Sequence, residues 1–491
     1  MTHPSSLPEL RARYGERYRW LLLLSVMIGT MASIMSSTII NVAVPGMSLH
    51  FDLGQERAQW VSSGFMVAMT VSMLTTPWLL ARYGYRRTYS GTMVLLLAGG
   101  VVGGLADHFS LVLAARVAEG LAAGVVQPIP AIIIMRAFEP HEQGRASGIF
   151  GMGVVLAPAL GPSIGGVLVD WFGWRSIFFM VVPFCVVSLW LAQRFVPTSA
   201  PRGQAAGQGA DTLDWPGLLL ASVGTLCFLN SLVQFHVGFS WPALALMGMS
   251  IVTLLGFWRR QQRLGQGQAQ GGNTPLLNPV LFTHRTFAMS SIVAFIYGMA
   301  LFGSTYLLPV FMQLGLSLSP SYVGTTLLPA GFVLATTIAL AGRLADRHPT
   351  RLLVSIGLTL LAASFALMVT LQADTAIVWL VAWAILGRIG LGFILPSLNL
   401  GAMRGIDATL IPQGSSAINF LRILGGAVGV SVCGIFLEWR LAVHGASLTQ
   451  GSSSPERLAA FHESFLLLAA ICALALLAAW KLNAQSAHRR E

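Results

Sequence analysis

Two ionisable residues lie inside an apolar run that is long enough to cross a membrane. Arg116 and Glu119 fall within residues 111–135, and a separation of three places both side chains on one face of a helix. Ionisable groups are costly to bury there and usually face a partner or a cavity. A buried carboxylate beside a guanidinium can take up and release a proton. The pair is therefore a candidate proton site, and the alternative is a fixed ion pair that only joins helices.

Two further cations lie in apolar runs without an acidic residue close by in the sequence. Arg388 and Arg422 stay protonated, because the guanidinium group is not deprotonated in proteins. Each needs carbonyl groups, water or an anionic ligand as its partner. Either a structural role or contact with a substrate is compatible with this pattern.

Neutral polar side chains in the apolar runs are candidates for orienting a substrate in a mostly apolar cavity. Each of them is equally a candidate for hydrogen bonding between helices. With Arg388 and Arg422, the predicted cavity residues are Asn41, Gln127, Asn230, Gln234, Tyr297, Tyr306, Gln313, Asn399 and Asn419.

The sequence offers no credible catalytic or metal-binding set. None of the ten histidines lies in the middle of an apolar run, and none forms H-E-x-x-H. Residues 161–165 match G-x-S-x-G, but a nucleophile elbow requires a strand–turn–helix in an α/β sheet. We expect no enzyme, no cofactor and no metal site.

The composition predicts that these residues are held by helices whose outer surface is mostly covered by lipid. Of 491 residues, 55% are hydrophobic and only 10% are charged, whereas roughly a quarter are charged in a typical soluble protein. This excludes a soluble enzyme, a disordered chain and a nucleic-acid-binding module. Fourteen apolar runs are long enough to cross a bilayer: 20–44, 58–80, 88–106, 111–135, 145–169, 175–196, 214–235, 241–258, 286–312, 321–341, 351–371, 376–400, 414–437 and 462–482.

The distribution of basic residues predicts the topology. With the N-terminus inside, 22 of the 29 lysine and arginine residues fall in inside segments, and only Arg57, Arg440 and Arg457 fall in outside loops. Cytoplasmic segments are enriched in such residues. Both termini are therefore expected in the cytoplasm.

An internal repeat divides the chain into two halves of six spans, which is typical of a transporter. Residues 116–120 of span 4 recur as residues 388–392 of span 12, and each copy is followed by a proline. The loop at 80–87 likewise resembles 342–351. The predicted domains are a cytoplasmic N-terminus (1–19), a six-helix bundle (20–196), a linker (197–212), two extra helices (213–259), a second linker (260–285), a second six-helix bundle (286–482) and a cytoplasmic tail (483–491).

Several motifs in order along the chain carry a resemblance to a known family. They are 38–45 in span 1, 78–87 after span 2, 116–124 in span 4, Gly148 with 161–166 in span 5, and 419–426 in span 13. With these motifs the chain resembles the major facilitator superfamily, and specifically its fourteen-span drug:proton antiporters of the EmrB/QacA type. The resemblance implies an all-α polytopic membrane protein with two six-helix bundles and two extra helices.

The function that the resemblance implies is proton-coupled export of hydrophobic or amphipathic toxic compounds by alternating access. Its expected surroundings are the lipid bilayer of a bacterial inner membrane, protons and small-molecule substrates, with no nucleic acid. An exporter specific for a metabolite or a fatty acid is the first alternative, and a non-transporting receptor or scaffold is the second. The outer segment 438–461 is the longest predicted outside loop and could meet a periplasmic adaptor protein of a tripartite pump.

The resemblance also assigns two mechanical roles. The antiporter motif of span 5 would be a hinge, or simply close helix packing, at Gly161, Pro162, Gly165 and Gly166. The two loop motifs would form a cytoplasmic latch, or simply anchor the topology, with Arg82, Gly84, Arg86 and Arg87 in the first copy and Gly342, Arg343, Asp346 and Arg347 in the second.

Departures from the family pattern are informative about the proton site. Ser36 stands where the family usually has an acidic residue in span 1, and Glu119 stands where a glutamine is common in span 4. We therefore hypothesise that the proton site has moved from span 1 to Glu119. Ala81 replaces the aspartate of the first loop motif, so that copy should form the weaker latch.

Overall fold

The structure is a computed structural model, and it describes residues 7–53, 55–200, 212–237, 240–266, 274–372, 374–445 and 454–482. Long helices dominate this part of the chain. This is expected in lipid, because the backbone N–H and C=O groups find no water there and must hydrogen-bond to each other. The helices are α1 (Leu7–Tyr14), α2 (Arg17–His50), α3 (Gln55–Ser72), α4 (Thr76–Leu105), α5 (Phe109–Val126), α6 (Ile129–Ala137), α7 (Gln143–Phe172), α8 (Ser176–Phe195), α9 (Trp215–Val237), α10 (Trp241–Gly265), α11 (Val280–Thr283), α12 (Arg285–Val310), α13 (Pro320–Ala345), α14 (Thr350–Met368), α15 (Ile377–Arg404), α16 (Ile411–Val443) and α17 (Pro455–Ala479).

Every predicted span falls on helical residues, and the described part holds twelve stretches that are long and apolar enough to cross a membrane. One of them, Trp60–Leu105, includes the predicted runs 58–80 and 88–106 almost entirely. The predicted run 145–169 is not among the twelve, although α7 passes through it. The all-helical membrane fold is therefore confirmed, and the count of fourteen stays a prediction.

Gly84 breaks the long α4 between these two runs. Its backbone angles of φ 76° and ψ 173° are open almost only to glycine. A Cβ atom at this position would also overlap the carbonyl oxygen of Thr198. The chain can therefore turn here between two apolar segments.

Local signals in the sequence explain several helix ends. The hydroxyls of Ser240, Ser319 and Ser454 accept hydrogen bonds from the third N–H group after them, at the start of α10, α13 and α17. A proline follows in the first turn of each of these helices, where its missing N–H costs nothing. Gly173, with φ 78°, ends α7.

The helices on either side of the extra hairpin form the two halves of the molecule. In the N-terminal half (α2–α8), α2 packs on α7 and α8, and α3 and α4 pack on α5. In the C-terminal half (α12–α17), α12 packs on α16, and α14 packs on α15 and α17. The hairpin of α9 and α10 contacts α3 and α16 and leaves Trp241 and Val252 exposed.

Buried polar contacts fix the base of this hairpin. Asp214 is fully buried, and its carboxylate accepts hydrogen bonds from Arg260 Nε (2.7 Å), Gln261 Nε2 (2.8 Å) and Gly217 N (3.1 Å). Gln261 Oε1 in turn accepts from Leu277 N (3.2 Å), in the segment that leads to α12. The hairpin is thus attached to the C-terminal half by polar as well as apolar contacts.

The predicted outer loop 438–461 is wrong as a loop. Residues 438–443 belong to α16 and residues 455–461 to α17, so that the connection between these helices is confined to 444–454. Hydropathy marks only the apolar part of a helix, whereas these polar ends continue beyond it. Arg440 of α16 bonds Glu463 of α17 through two nitrogen atoms and stabilises the helical extension.

Candidate functional site

The predicted pair on α5 is completely buried between helices of the N-terminal half. Arg116 Nη1 lies 2.5 Å from Glu119 Oε2, and both side chains are 1% exposed. One turn of α5 supplies both groups, as the sequence spacing predicts. Arg116 also donates from Nε to the carbonyl oxygen of Val61 (3.3 Å), and its guanidinium lies 4.2 Å from the ring centre of Phe65. The pair therefore joins α5 to α3.

Ser36 completes this cluster from α2. Its hydroxyl accepts a hydrogen bond from Arg116 Nη1 (2.8 Å) and donates one to Glu119 Oε2 (3.1 Å). Ser36 is the residue that stands in place of the family's acidic residue in span 1. The neutral hydroxyl thus occupies the usual acidic position and contacts the acid that α5 supplies.

Two atoms of the cluster keep unused bonding capacity. Within the described part of the chain, Glu119 Oε1 and Arg116 Nη2 are buried and have no hydrogen-bond partner. A buried polar atom without a partner costs about 1–3 kcal/mol. A carboxyl group in this arrangement can bind a proton on Oε1 without giving up either contact of Oε2.

In this conformation Glu119 faces the interior of the bundle and is sealed by α4. A Cβ atom at Gly99 would overlap Glu119 Cγ, and one at Gly100 would lie 3.6 Å from Glu119 Oε1. Proton exchange with water therefore needs these helices to move. The same short, buried contact is expected of a fixed ion pair that only joins helices.

Three predicted cavity residues meet where the halves contact each other. Arg422 Nη2 donates to Asn419 Oδ1 (2.7 Å) on its own helix α16 and to Gln127 Oε1 (3.3 Å) at the end of α5. Asn419 Nδ2 donates to the carbonyl oxygen of Ser415 (2.9 Å). Two neutral amides thus hold this cation, and the contact joins the N-terminal and C-terminal halves.

Arg388 and Tyr297 lie close to this cluster in the C-terminal half. Tyr297 on α12 is 1% exposed and lies near the positive charges of Arg422 and Arg388. Arg388 on α15 lines a cavity of about 20 Å³ between α12, α14, α15 and α17. The structure thus brings together five of the eleven predicted cavity residues.

The other predicted cavity residues lie apart from this group. Asn230 and Gln234 are half-buried on α9 of the extra hairpin, and Asn230 Nδ2 donates to the carbonyl oxygen of Leu226 (2.9 Å). Tyr306 on α12, Gln313 in the turn that follows it and Asn399 on α15 are half-buried. The side chain of Asn41 lies outside the described part of the chain.

The second loop copy makes a contact between the halves. Asp346 accepts hydrogen bonds from the N–H groups of Gly144 (2.6 Å) and Arg145 (2.8 Å) at the start of α7, where a helix favours negative charge. Arg404 Nη2 lies 3.9 Å from the Asp346 carboxylate. Burial raises the pKa of Asp346 above its ordinary value, and the two N–H groups and Arg404 oppose that shift.

Close packing of glycines surrounds Asp346. A Cβ atom at Gly342 would overlap the carbonyl oxygen of Gly144 and the backbone of Gly148, so that α13 and α7 approach each other closely. Gly148 and Gly342 both belong to motifs of the sequence, but no local pattern places them against each other. Small residues four apart on α7, Gly144 and Gly148, are the signal that indicates this contact.

The first loop copy contacts its own half. Arg86 Nε donates to the carbonyl oxygen of Val196 (2.7 Å), and the N–H groups of Tyr85 and Arg86 donate to the carbonyl oxygens of Ser199 (3.1 Å) and Pro197 (3.0 Å). Exposed side chains of the two copies are those of Arg82, Arg87, Arg343 and Arg347. The two copies therefore have similar sequences and different contacts.

Two of the three glycines of the antiporter motif, Gly161 and Gly165, lie against α2. A Cβ atom at Gly161 would lie 3.1 Å from Thr38 Oγ1, one at Gly165 would overlap Ile39, and one at Gly166 would meet no atom within 4 Å. The side chain of Pro162 lies outside the described part. These glycines allow α7 and α2 to pack closely within one half.

The two halves contact each other at the ends predicted to be cytoplasmic. Besides Asp346 and Arg422, Arg136 Nη2 donates to the carbonyl oxygen of Ala408 (2.7 Å), and Ser415 Oγ donates to that of Pro128 (3.0 Å). The conformation is thus closed on the side predicted to face the cytoplasm.

Comparisons with known proteins agree with this architecture. The sequence model of the Major Facilitator Superfamily matches residues 26–430. The chain is 27% identical over 453 residues to the "Multidrug resistance protein B homolog" of Mycobacterium tuberculosis, covering 89% of this chain and 80% of that protein. It is 24% identical over 462 residues to the "Riboflavin transporter RibZ" of Clostridioides difficile, covering 94% and 97% respectively.

A solved structure shows the same fold. The human organic anion transporter MFSD10 superimposes with a TM-score of 0.64 over 94% of this chain and 99% of that one, at 15% sequence identity. At this identity the likeness concerns the fold alone. It supports the arrangement of helices described above.

Proposed function

The chain belongs to the major facilitator superfamily, and from that premise we propose that it exports hydrophobic or amphipathic toxic compounds in exchange for protons. That it is a multi-pass membrane transporter follows from the family and from its relatives' names. Drug export is supported by a relative named as a multidrug resistance protein. Proton exchange is our inference from the cluster on α5.

The observation that carries the proposal is the buried cluster of Arg116, Glu119 and Ser36. Glu119 has one oxygen bound to Arg116 and Ser36 and one without a partner among the described residues. Movement of α4 or α2 during transport would admit water to this oxygen and allow protonation. Arg116 would then hold the carboxylate in place and compensate its charge between protonation events.

Transport in proteoliposomes tests this role. With an imposed pH gradient, wild-type protein should move protons when a hydrophobic compound such as ethidium is added, and Glu119→Gln should abolish that movement. Asp374→Asn is the matched control, because Asp374 is an exposed carboxylate outside the helices. Full gradient-driven export by Glu119→Gln would contradict the proposed proton site, and the fixed ion pair would then be favoured.

Alternating access would proceed by rocking of the two halves around the Arg422 contact. Residues 20–196 and 286–482 would be the two six-helix bundles, with 213–259 as the extra helices, 197–212 and 260–285 as linkers, and 1–19 and 483–491 as cytoplasmic ends. The Gly161–Gly166 segment would be the hinge. Asp346 with Gly342 would form the working latch, and the first loop copy would support its own half.

The proposed location is a bacterial inner membrane with both termini in the cytoplasm. This follows from the basic residues on one side and from the bacterial relatives. A periplasmic adaptor would contact the connection between α16 and α17. That connection is shorter than the sequence predicts and offers an adaptor less surface. Co-purification with an adaptor tests whether such a partner binds.

A transporter specific for a metabolite or a fatty acid is the second candidate. The observation in its favour is the riboflavin transporter, which aligns along nearly the whole of both chains. Competition of riboflavin and of fatty acids with ethidium in the same proteoliposomes separates the two. Transport of riboflavin alone or of fatty acids alone would favour the transporter with narrow substrate specificity.

A further inference from the structure

Arg388 and Arg116 occupy corresponding places in the two halves, but only Arg116 has an acid beside it. The repeat aligns Arg388 on α15 with Arg116 on α5. Three residues after Arg116 stands Glu119, and three residues after Arg388 stands Leu391. The C-terminal copy therefore has the cation, which is partly buried, without an acid three residues after it.

The surroundings of Arg388 do not replace that charge. Among the described residues, its guanidinium has no hydrogen-bond or ion-pair partner. The cavity that Arg388 lines is bordered mostly by apolar side chains such as Leu391, which is 1% exposed. Ser304 and Ser364 also line it, and their hydroxyls donate to the carbonyl oxygens of Leu301 and Trp383. A cation in apolar surroundings is costly unless something neutralises it.

A second cation increases the local positive charge. Arg422 is bound by the neutral amides of Asn419 and Gln127, and the buried Tyr297 lies near both Arg422 and Arg388. No carboxylate lies within 4.0 Å of either guanidinium in the described part of the chain. The region therefore carries two positive charges that the protein's own acids do not balance.

The cavity at Arg388 is small enough to define the size of a partner. Its volume of about 20 Å³ is enough for a small ion or water-sized group, and only the charged end of a larger molecule would enter it. We propose that Arg388 binds a small anionic group in this cavity, either a free monovalent anion or the carboxylate of an organic substrate. The site goes beyond the exporter function, and its binding is measurable without transport.

Thermal unfolding of the purified full-length protein tests the site. In sodium HEPES as the only salt, we titrate sodium chloride in one series and sodium octanoate in another, with octanamide as the neutral analogue of octanoate. Binding to the folded state should raise the unfolding temperature by roughly 2 °C at ten times the dissociation constant. A response to chloride identifies a free anion, and a response to octanoate but not to octanamide identifies an organic carboxylate.

Variants distinguish this site from general salt effects. Arg388→Leu should abolish the response, whereas Arg285→Leu, which removes an exposed arginine at the start of α12, should keep it. Leu391→Glu should also abolish the response with Arg388 unchanged, because it restores the internal acid that Glu119 supplies in the other half. This variant keeps the proposal testable if Arg388→Leu does not fold.

Two results would overturn the proposal. One is a wild-type protein whose unfolding temperature rises with chloride no more than that of Arg388→Leu, and with octanoate no more than with octanamide. The other is a response that persists unchanged in Leu391→Glu and Arg388→Leu. Neither result bears on proton-coupled export, which the proteoliposome assay with Glu119→Gln measures separately.

Discussion

At the residue scale, Ser36 shows how one hydroxyl can serve a buried ion pair. It is donor to Glu119 and acceptor from Arg116 at the same time. An acidic residue at this position would place a second carboxylate beside Glu119, and two carboxylates at one site repel each other. The serine and the glutamate are therefore compatible with each other, and together they differ from the usual family pattern.

Replacement of Ser36 by alanine should destabilise the protein. The change removes both hydrogen bonds and leaves buried charged groups less satisfied, at a cost of about 1–3 kcal/mol. Thermal unfolding in detergent measures the loss. Ser37→Ala is the control, since Ser37 Oγ bonds only within its own helix, to the carbonyl oxygen of Ile34 (2.6 Å). Equal effects of the two changes would show that the hydroxyl of Ser36 does not support the ion pair.

At the element scale, the contact between α7 and α13 holds the two halves together. Glycines bring the helix backbones into contact, and Asp346 then reaches the N-terminal N–H groups of α7. The first loop copy has Ala81 in place of the aspartate, and its Arg86 bonds the carbonyl oxygen of Val196 within its own half. The expectation of a weaker first latch stays a prediction, and the observed contacts of Arg86 within its own half agree with it.

A methyl group at Gly342 should open this contact. Gly342→Ala places a Cβ atom against the backbone of α7, and such overpacking costs about 1–3 kcal/mol. A cysteine introduced at Ser415, which is buried where the halves meet, should then react faster with maleimide from the cytoplasmic side. The native cysteines are replaced for this measurement.

The matched control lies on the same helix. A Cβ atom at Gly324 on α13 would meet no atom within 4 Å, so that Gly324→Ala should leave the labelling of Ser415→Cys unchanged. If Gly342→Ala also leaves it unchanged, the glycine contact does not control closure. If both variants increase it, the effect is not specific to the latch.

At the scale of the whole molecule, the number of membrane crossings depends on how the chain passes through Trp60–Leu105. Two crossings within this stretch, with the turn at Gly84 on the cytoplasmic side, keep the basic residues around it inside. A single crossing would reverse the direction in which every later helix crosses the membrane, so that the repeat motifs of the two halves would lie on opposite sides. The fourteen-span topology therefore requires both ends of this stretch to face the outside.

Cysteine labelling in intact cells tests this topology. Asp107→Cys should react with a membrane-impermeant maleimide from outside, whereas Tyr83→Cys should react only in inverted vesicles. Both residues are exposed, which makes them comparable probes. Labelling of Tyr83→Cys in intact cells would contradict the two crossings and the fourteen-span count.

The sequence alone determined the features that depend on residues close together in the chain. Apolar runs predict helices because lipid requires each helix to satisfy its own backbone, and the basic residues predict the sidedness. The three-residue spacing of Arg116 and Glu119 predicts their pairing on one helix face. The repeat likewise needs no structure to be recognised. All of these depend on local spacing and composition.

The tertiary structure decided the contacts between residues that are far apart in the chain. Ser36 and Glu119 are separated by 83 residues, and Gly144 and Asp346 by 202. No local pattern specifies which glycine faces which, or that Arg422 bonds Gln127 from the other half. These pairings depend on how the helices pack, and packing depends on the fit of all the side chains between them.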